Sequence, residues 1–421
     1  MTAPTSDDQR IRHGRKYLAA MSLSYALGAF NDNFFKMAAI LIAANHAFHD
    51  FRGMASAVFS IPFVVFAAIA GWAADRYSKR NVIIVMKLLE LVAMIIGVVA
   101  IFTQAYWLML VVIFLMALQS TFFSPAVNGS IPEIFPSHYV PKANGAVKSL
   151  LVTCVLLGTV LSGYLLNPKQ PVWGYPLGWW LVSGAVLVVS GVGALWSLKV
   201  AHRPAADEQA RMPWSGPIKS FRILWDSRRD RMLTTAILAD VFIWFIGTLQ
   251  LLLIVALVKS ELQMSDAMAS NMIFPQLIGV AIGGVLAGRY CPDRHWYVWL
   301  VPAVVIMTLL CLVITAVQWL PEAAHLPSWL VLFGLIGVTG GLFMIPTESF
   351  IQVRPDPRQK GAVWASANFA CFIGIFFASL LDILLTGWVG AINMFGVLGM
   401  FTVPAGLYLR WKLPIRRDAK M

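Results

Sequence analysis

Charge is scarce in this sequence, and its scarcity excludes a soluble globular protein. Only 12% of the 421 residues are charged, whereas an ordinary soluble domain carries about 25%. Hydrophobic residues make up 59% of the chain, which leaves too little polar side-chain area to cover a surface in water. Side chains that face lipid need no polarity, so the composition predicts an integral membrane protein. The first 16 residues are polar and basic, which argues against a cleaved signal peptide.

Cysteine is also rare, and the chain lacks the patterns on which most enzyme or metal chemistry depends. The four cysteines form no CxxC pair, so they indicate small core residues and not a disulfide framework or metal site. No Gly-x-Ser-x-Gly nucleophile motif occurs. One string has metal-ligand character, His46-x-x-His49-Asp50, and no further ligand lies near it in the sequence. These absences predict that the protein is not an enzyme and binds no cofactor or metal.

Long apolar runs dominate the rest of the chain. A helix of about 20 residues spans the hydrocarbon core, because each residue adds about 1.5 Å. Twelve such runs predict an all-α membrane protein with twelve transmembrane helices. The predicted spans are 17–44, 52–74, 81–102, 106–128, 143–167, 177–199, 232–257, 268–290, 296–319, 327–350, 361–386 and 388–411.

Lysine and arginine cluster on one side of the predicted membrane. Most of them fall in the two tails and in the loops after even-numbered spans, whereas only Arg52, Lys169 and Lys259 fall on the opposite side. Loops rich in these residues are retained in the cytoplasm, so both termini are predicted to be cytoplasmic. The net charge of +12 is therefore a signal of topology and does not predict binding to nucleic acid.

The chain is predicted to consist of two similar halves. The polar residues 200–231 form a linker between a bundle of residues 1–199 and a second bundle of residues 232–421. Within the linker, residues 217–225 predict a short interfacial helix. GWAADR from Gly71 and GVLAGR from Gly284 end spans 2 and 8, and GAV from Gly145 and Gly361 opens spans 5 and 11. These matches at nearly equal offset indicate an internal repeat.

Span 1 carries four polar residues within six positions, more than packing requires. Each ionisable side chain at the bilayer centre costs at least about 2.5–3.5 kcal/mol on insertion scales. Asp32 and Lys36 are four residues apart on one helix face and can neutralise each other. The span-1 cluster and its adjacent aromatic residues are Phe30, Asn31, Asp32, Asn33, Phe34 and Lys36. A binding or gating site is favoured, and a purely structural polar cluster is the alternative.

Isolated polar side chains in the other spans are further candidates for substrate binding. They are Gln119, Lys148, Asp240, Glu348 and Asn368. Lys148 is predicted to pair with Glu133, and the last three are predicted to lie at one depth, where they could meet. Lys87 and Glu90, three residues apart in span 3, are predicted to satisfy each other.

The segment GWAADRYSKR at residues 71–80 resembles the signature loop between spans 2 and 3 of the major facilitator superfamily, G-x-L-A-D-R-x-G-R-K. Ser78 replaces the second glycine and Ala73 replaces the leucine. The resemblance implies two six-helix bundles with substrate bound between them. It also implies that Asp75 caps the N-terminus of span 11, where a carboxylate is favoured by about 0.3–1 kcal/mol. The implied gating residues are Gly71, Asp75, Arg76, Lys79 and Arg80.

Strings in both halves are similar to the lysophospholipid transporter (LplT) family. They are FNDNFFK in span 1, FSPA, GSIPE and KANG between spans 4 and 5, and GGLFMIP and ANF around the connection of spans 10 and 11. The resemblance implies a bacterial inner-membrane transporter that returns lysophospholipids, notably lysophosphatidylethanolamine, to the cytoplasmic leaflet, where an acyltransferase re-esterifies them. A monomer surrounded by membrane lipids is expected. Asp32 is expected to face the ethanolamine ammonium, and Lys36 or Lys148 the phosphate.

Two alternatives stay open from the sequence. The first is a major facilitator exporter of amphipathic drugs or metabolites, coupled to protons through Asp32 or Glu348. The second is an integral-membrane lipid enzyme, which would need a nucleophile with its base, or a metal cluster, near the interface.

Overall fold

Helices form almost all of the computed structural model, which describes residues 6–45, 51–200, 202–264, 266–291 and 295–413. Short 3₁₀ or π turns extend or connect several of them. Within these ranges the α-helices are α1 (Ser6–Asn45), α2 (Phe51–Val65), α3 (Ala67–Arg76), α4 (Lys79–Thr103), α5 (Tyr106–Ile134), α6 (Val140–Leu166), α7 (Leu177–Ser197), α8 (Pro217–Asp226), α9 (Arg231–Ala256), α10 (Asp266–Tyr290), α11 (Leu300–Ala316), α12 (Glu322–Val353), α13 (Lys360–Val389) and α14 (Ala391–Lys412).

Ten of these helices are long and apolar enough to cross a membrane, and the bent pair α2–α3 raises the number to eleven. The predicted all-α membrane fold is confirmed. Helix α1 has 40 residues but is not among the eleven, because its polar cluster lowers its mean hydropathy. The count of twelve spans therefore stays a prediction. Helix α1 contains the whole of predicted span 1 and begins eleven residues before it, at Ser6; where the span itself begins stays a prediction.

The predicted second span is a broken helix. Its two segments, α2 and α3, meet at an angle of 53°. Pro62 lies one turn before the break, and a proline inside a helix removes one backbone hydrogen bond and clashes with the preceding turn. The N–H of Phe66, the residue between the segments, donates to the carbonyl oxygen of Pro62 at 2.9 Å. The turn that a proline disturbs is the one before it, whereas the break at Phe66 lies one turn after Pro62 and keeps this hydrogen bond.

A small hairpin connects α6 and α7. Strands β1 (Pro171–Val172) and β2 (Tyr175–Pro176) pair antiparallel, with Pro171 opposite Pro176. The two turn residues, Trp173 and Gly174, have φ values of 52° and 84°. Positive φ at both positions is the requirement of a type I′ turn, which suits the twist of a two-residue hairpin.

The chain forms two compact units. Unit 1 comprises Met1–Pro136, Leu150–Trp225 and Pro355–Phe369, and unit 2 comprises Ser137–Ser149, Asp226–Arg354 and Ala370–Met421. Unit 1 thus includes the first turns of α13, and unit 2 includes the first turns of α6. The predicted domain boundaries at residues 199 and 232 divide the chain into two continuous segments and a linker, and these boundaries stay a prediction.

The core of unit 1 is built from α1, α2, α4, α5 and α7. Phe34 and Phe35 of α1 are completely buried in it. Gly97 of α4 makes room for the ring of Phe35, because a Cβ there would lie 2.7 Å from a ring carbon. The hydroxyl of Ser24 in α1 donates to the carbonyl oxygen of Gly193 in α7 at 3.2 Å. These contacts hold α1, the helix with the polar cluster, in a defined rotation.

In unit 2, α10 and α12 pack with their backbones in contact. A Cβ on Gly283 would lie 2.1 Å from the carbonyl oxygen of Val338, and one on Gly337 would lie 2.0 Å from that of Gln276. Small residues are enriched where membrane helices approach this closely, because van der Waals packing replaces the hydrophobic drive that lipid cannot supply.

The start of α9 is fixed by its N-cap residue, Asp230. Its carboxylate accepts hydrogen bonds from the N–H groups of Met232 and Leu233 at 3.1 Å and from Nε of Arg354 at 2.6 Å. Burial raises the pKa of Asp230, but the hydrogen bonds from Arg354, Leu233 and Met232 outweigh it, so the pKa lies below its usual value.

The predicted internal repeat appears as matching helix contacts. In unit 1, a Cβ on Gly71 of α3 would lie 2.9 Å from the carbonyl oxygen of Gly361, at the start of α13. In unit 2, a Cβ on Gly145, at the start of α6, would lie 2.4 Å from the carbonyl oxygen of Gly284 in α10. The glycines aligned by the sequence repeat thus occur in equivalent contacts, which supports the repeat.

The linker contains the short helix that was predicted. Helix α8 confirms the segment 217–225, and Ile218, Phe221 and Trp225 are exposed on it. Upstream of α8, the N–H of Asp207 donates to the carbonyl oxygen of Asp75 at 3.0 Å. The linker therefore packs on the end of α3. Contact of α8 with lipid headgroups stays a prediction.

Candidate functional site

The carboxylate of Asp32 is held by the neighbouring helix α5. Ser120 donates its hydroxyl to Oδ2 of Asp32 at 2.6 Å, and Gln119 donates its amide to Oδ1 at 3.4 Å. Gln119 also donates to the hydroxyl oxygen of Ser120 at 2.8 Å. Asp32 is 5% exposed. Two of the predicted site residues, Asp32 and Gln119, are thereby brought together in one hydrogen-bonded group.

Asn31 points away from Asp32, into the core of unit 1. Its amide donates to Oε1 of Glu90 at 3.2 Å and to the carbonyl oxygen of Val186 at 3.3 Å. Glu90 pairs in turn with Lys87 at 2.6 Å, which confirms the predicted pair in α4. All three side chains are buried, and Gly28 leaves space for the ammonium of Lys87. These contacts indicate a packing role for Asn31.

Lys36 and Asn33 are the part-exposed members of the span-1 cluster. The ammonium of Lys36 lies 4.6 Å from the centre of the Phe59 ring in α2, within the range of a cation–π interaction. It interacts electrostatically with Asp32, but no ion pair joins them in the described part of the chain. Asn33 donates to the carbonyl oxygen of Ala29 in its own helix at 2.8 Å.

Phe30 and Phe34 stack on each other with ring centres 5.3 Å apart. Phe34 is fully buried, whereas Phe30 is partly exposed. The predicted span-1 cluster is therefore divided into a buried part, Asn31, Asp32 and Phe34, and a part-exposed part, Phe30, Asn33 and Lys36.

A second polar cluster lies in unit 2. Lys148 of α6 pairs with Oε1 of Glu348 in α12 at 3.0 Å, and its ammonium lies 5.6 Å from the Trp244 ring centre in α9. The thiol of Cys371 in α13 donates to Oδ2 of Asp240 in α9 at 3.4 Å. Asp240 interacts electrostatically with Glu348 and Lys148. Lys148 and Glu348, two of the predicted site residues, therefore form an ion pair, and a third, Asp240, interacts with both of them electrostatically.

Two sequence predictions about these partners are corrected. Lys148 does not pair with Glu133, because the start of α6 packs on α12, and Glu133 instead pairs with Lys79 at 2.6 Å. Asn368 does not join Asp240 and Glu348. Its amide donates to the hydroxyl oxygen of Ser124 in α5 at 3.2 Å.

Asp75 binds the N-terminus of α13. Its two carboxylate oxygens accept the N–H groups of Gly361 and Ala362, each at 2.8 Å, which confirms the predicted cap. Gly71 lies one turn earlier in α3, where a Cβ would lie 2.8 Å from Cα of Ala362. Only glycine fits this approach, so α3 and α13 are joined by close backbone packing and by a charge–dipole contact.

The basic residues after Asp75 attach to different partners. Arg76 is the last residue of α3, and Lys79 pairs with Glu133 of α5. Arg80 donates to the carbonyl oxygen of Leu198, beyond the end of α7, at 3.1 Å. These contacts tie the loop to two further helices of unit 1. The gating role of the five residues stays a prediction.

Sequence reasoning missed one polar contact at the start of α6. The amide of Asn144 donates to the hydroxyl oxygen of Ser349 at 2.8 Å and to Oε1 of Gln352 at 3.1 Å, both in α12. It also missed Cys371, which had been predicted to be a small core residue. The position of Cys371 three residues after Asn368 was a weak signal that its thiol takes part in a polar contact, because residues three apart lie on nearby faces of one helix.

Several features bear on the enzyme and metal alternatives. No group of three metal-ligating side chains occurs within the described ranges, and His46, His49 and Asp50 lie outside them. The linker contains one His-x-x-x-x-Asp spacing, as in acyltransferases, at His202 and Asp207. Their side chains bind separate groups, since His202 contacts Ser78 at 3.3 Å and Asp207 accepts the N–H of Gln209 at 3.0 Å. They form no dyad.

Comparison with known proteins agrees with this arrangement of helices. The sequence model of the Major Facilitator Superfamily matches residues 21–379. This chain belongs to the Major Facilitator Superfamily. The protein is thus a multi-pass membrane protein with the family and fold of transporters.

Curated relatives are similar over most of the chain. The lysophospholipid transporters LplT of Yersinia pestis (strain Pestoides F) and of Yersinia pseudotuberculosis serotype O:3 (strain YPIII) are each 23% identical over 345 residues, which cover 80% of this chain and 78% of theirs.

Solved structures of the superfamily share the fold. The Escherichia coli fucose:proton symporter FucP has a TM-score of 0.74 at 15% identity, covering 95% of this chain and 100% of that one. The human organic anion transporter MFSD10 has a TM-score of 0.73 at 12% identity, covering 94% of this chain and 99% of that one.

Proposed function

We propose that this superfamily transporter carries lysophospholipids, with lysophosphatidylethanolamine as the main substrate, from the outer to the inner leaflet of the bacterial inner membrane. The observation that carries the proposal is the polar group of Asp32 and Lys36 beside aromatic rings, in a predicted membrane span that is otherwise mostly apolar. The similarity to transporters named for lysophospholipids supports the same substrate class.

A lysophospholipid places two demands on a binding site. Its zwitterionic head needs an anion and a cation, and its glycerol and single acyl chain need apolar surface. Asp32, held by Ser120, supplies a carboxylate for the ethanolamine ammonium. Lys36, over the Phe59 ring, supplies an ammonium for the phosphate, and Phe30 supplies apolar surface beside them. Lys148 is the second candidate for the phosphate.

Other predicted site residues receive different roles in this proposal. Asn31, with its bonds to Glu90 and Val186, orients α1 so that Asp32 meets α5. Gln119 shares the carboxylate of Asp32 with Ser120. These residues position the site and need not touch the lipid.

The contacts at the start of α13 and α6 suit a gate in an alternating-access cycle. Asp75 on Gly361, and Asn144 on Gln352, lie at predicted cytoplasmic helix ends. Both would have to break for the lipid to leave on that side. The proposed cycle places both termini in the cytoplasm and delivers lysophospholipid to an acyltransferase that works on the inner leaflet.

The test is transfer of labelled lysophosphatidylethanolamine between leaflets of liposomes that contain the purified protein. Asp32→Asn should weaken apparent affinity by about 10- to 100-fold, because a hydrogen bond to a charged group contributes about 1.5–3 kcal/mol. Asp382→Asn is the matched control, since this carboxylate of α13 accepts a bond from Thr386 in its own helix. The control should transfer lipid at the wild-type rate.

Two results would contradict the proposal. Wild-type transfer by Asp32→Asn would remove Asp32 from the site. Transport of hydrophobic cations driven by a pH gradient, without transfer of lysophosphatidylethanolamine, would replace the lipid substrate by the amphipathic-drug alternative.

A further inference from the structure

The linker runs beside α3 and not in water beyond its end. The indole N–H of Trp72 in α3 donates to the carbonyl oxygen of Ala210 at 2.9 Å. A Cβ on Gly216 would lie 3.7 Å from the carbonyl oxygen of Val65, the last residue of α2. Because α3 has 10 residues, it is about 15 Å long. The linker therefore follows α3 over its whole length, from its end to the break that precedes it.

Helix α8, which comes directly after this part of the linker, packs against α13. The ring of Phe221 in α8 meets the ring of Phe369 edge to face, with ring centres 5.1 Å apart. Phe369 lies about two and a half turns into α13, which begins at Lys360, or about 14 Å along its axis. Helix α8 thus lies beside the apolar part of α13, where lipid surrounds a membrane-spanning helix.

The aromatic face of α8 points away from the protein. Ser220 is the one buried residue of α8, all of which the structure describes. Ile218, Phe221 and Trp225 share the opposite face, because they are separated by three and four residues. They are 70%, 57% and 65% exposed. Contiguous exposed apolar side chains of this size mark a surface that binds a membrane or another protein.

A basic ridge flanks the aromatic face. Lys219 and Arg222 are exposed, and their spacing of three residues makes them neighbours on the helix. Between Pro217 and Arg229 the chain has four basic residues and one acidic residue. Lysine and arginine lay their aliphatic stems along apolar surface while their charged ends reach outward. A basic ridge beside an apolar face is typical of helices that bind anionic lipid surfaces.

We propose that α8 is a docking surface for anionic phospholipids of the surrounding bilayer. Lys219 and Arg222 bind the headgroup phosphates, and Ile218 and Trp225 contact the acyl chains. A soluble protein fits this surface less well, because α8 and the linker lie alongside membrane-spanning helices, where the neighbour is lipid. The proposal does not depend on which lipid the protein transports.

A lipid bound to α8 also stabilises the contact between α3 and α13. The linker bonds to α3 through Ala210 and through the N–H of Asp207, which donates to the carbonyl oxygen of Asp75 at 3.0 Å. Through Phe221 it packs on α13. Residues 207–221 therefore connect the two helices that the carboxylate of Asp75 joins. A ligand that binds α8 in this position favours the joined state, because a ligand shifts the equilibrium toward the state that it binds more tightly.

The first test locates α8 relative to the bilayer. A spin label at Ile218 is compared with one at Glu208, an exposed linker position before α8, in protein that carries Cys154→Ser and Cys291→Ser. In liposomes of phosphatidylcholine and phosphatidylglycerol, the label at Ile218 should collide mainly with lipid-soluble oxygen. The label at Glu208 should collide mainly with a water-soluble nickel chelate. Equal exposure of both labels to the chelate would overturn the proposal and indicate a soluble partner.

The second test measures the preference for headgroup charge. The same cysteine background, in neutral detergent, carries an environment-sensitive dye at the exposed Ser215 and is titrated with phosphatidylglycerol or phosphatidylcholine. Phosphatidylglycerol should bind more tightly. Lys219→Gln with Arg222→Gln should weaken its binding by about 30-fold, because each basic residue near an anionic surface contributes about fivefold. The matched control, Arg203→Gln with Arg211→Gln, removes the same charge from exposed linker positions outside α8 and should leave the titration unchanged.

Three results of this titration would overturn the docking surface. Equal affinity for the two lipids would exclude recognition of headgroup charge. Equal weakening by the two double variants would mean that the net charge of the linker, and not α8, attracts the lipid. Full competition by inorganic phosphate would indicate a site for free phosphate. All four substitutions are at exposed positions, and size-exclusion profiles identify any variant that does not fold.

The effect on α3 and α13 is measured with spin labels at Tyr77 and Gln359, which are exposed positions after α3 and before α13. In liposomes without lysophospholipid, added phosphatidylglycerol should increase the shorter component of the distance distribution. The variant with Lys219→Gln and Arg222→Gln should not respond. A distribution that is the same with and without phosphatidylglycerol in the parent protein would overturn the stabilising role of the bound lipid.

Discussion

Replacing Asp75 by asparagine should separate the ends of α3 and α13. The carboxylate accepts two backbone N–H groups at 2.8 Å at the start of a 30-residue helix. Asparagine keeps the size of the side chain but has one acceptor oxygen and no charge. The substitution removes one charge-assisted hydrogen bond and the interaction between the carboxylate and the helix dipole. Together these contribute about 2–3 kcal/mol to the free energy of the contact between α3 and α13.

A change of this size shifts the equilibrium between joined and separated helix ends by about 30- to 100-fold. Spin labels at the exposed positions Tyr77 and Gln359 measure the separation, because one follows α3 and the other precedes α13. The distance distribution of Asp75→Asn in liposomes should gain a longer component that is minor in the otherwise unchanged protein.

The matched control is Asp356→Asn. This exposed carboxylate accepts the N–H of Arg358 within the loop that leads to α13, and it does not bind α3. Its distance distribution should match that of the parent. If Asp75→Asn and Asp356→Asn gave the same distribution as the parent, the charge of Asp75 would not hold the two helices together, and the gating role would lose its physical basis.

Three further predictions concern buried charge, helix packing and acid stability. Glu90→Gln should destabilise the protein by about 3–5 kcal/mol, because Lys87 keeps a buried charge without its partner; adding Lys87→Met should restore part of the melting temperature, and no restoration would contradict an ion-pair role. Gly283→Val should aggregate on size exclusion, since a Cβ alone would lie 2.1 Å from a carbonyl oxygen of α12. Gly184→Val should stay monodisperse, because nothing lies within 4 Å of a Cβ at that position. The pKa of Asp230 lies below its usual value, so its ionised form stabilises the protein. The melting temperature of the wild type should therefore exceed that of Asp230→Asn above about pH 4, and the difference should shrink as pH falls further. A difference in melting temperature that does not depend on pH would exclude the charge of Asp230 as its cause.

Contacts within one helix, and contacts at a helix end, were predictable. Lys87 and Glu90 pair as their spacing of three residues requires. The cap of Asp75 on α13 followed from a resemblance to a family loop, and it depends on a charge at one helix end and N–H groups at another. The polar interruption of span 1 was equally visible, since apolar runs make every charged residue conspicuous.

Partners from different helices were predicted less well. Glu133 and Glu348 both follow a proline of a long apolar helix, and spacing alone did not say which of them Lys148 meets. The structure pairs it with Glu348, because the start of α6 packs on α12, where Asn144 also bonds. Asn368 and Cys371 likewise share one helix but bind Ser124 and Asp240 respectively.

Hydrophobicity, read along the chain, thus determined that this is a helical membrane protein, where most helices begin and end, and which polar side chains interrupt the apolar helices. Tertiary structure alone decided which way each polar side chain faces: Asn31 points into the core and the adjacent Asp32 points to α5. The physical reason is that a turn of 3.6 residues defines relative directions within a helix. The rotation of that helix against its neighbours depends on packing between segments that are distant in the chain, such as Gly28 against Lys87 or Gly145 against Gly284.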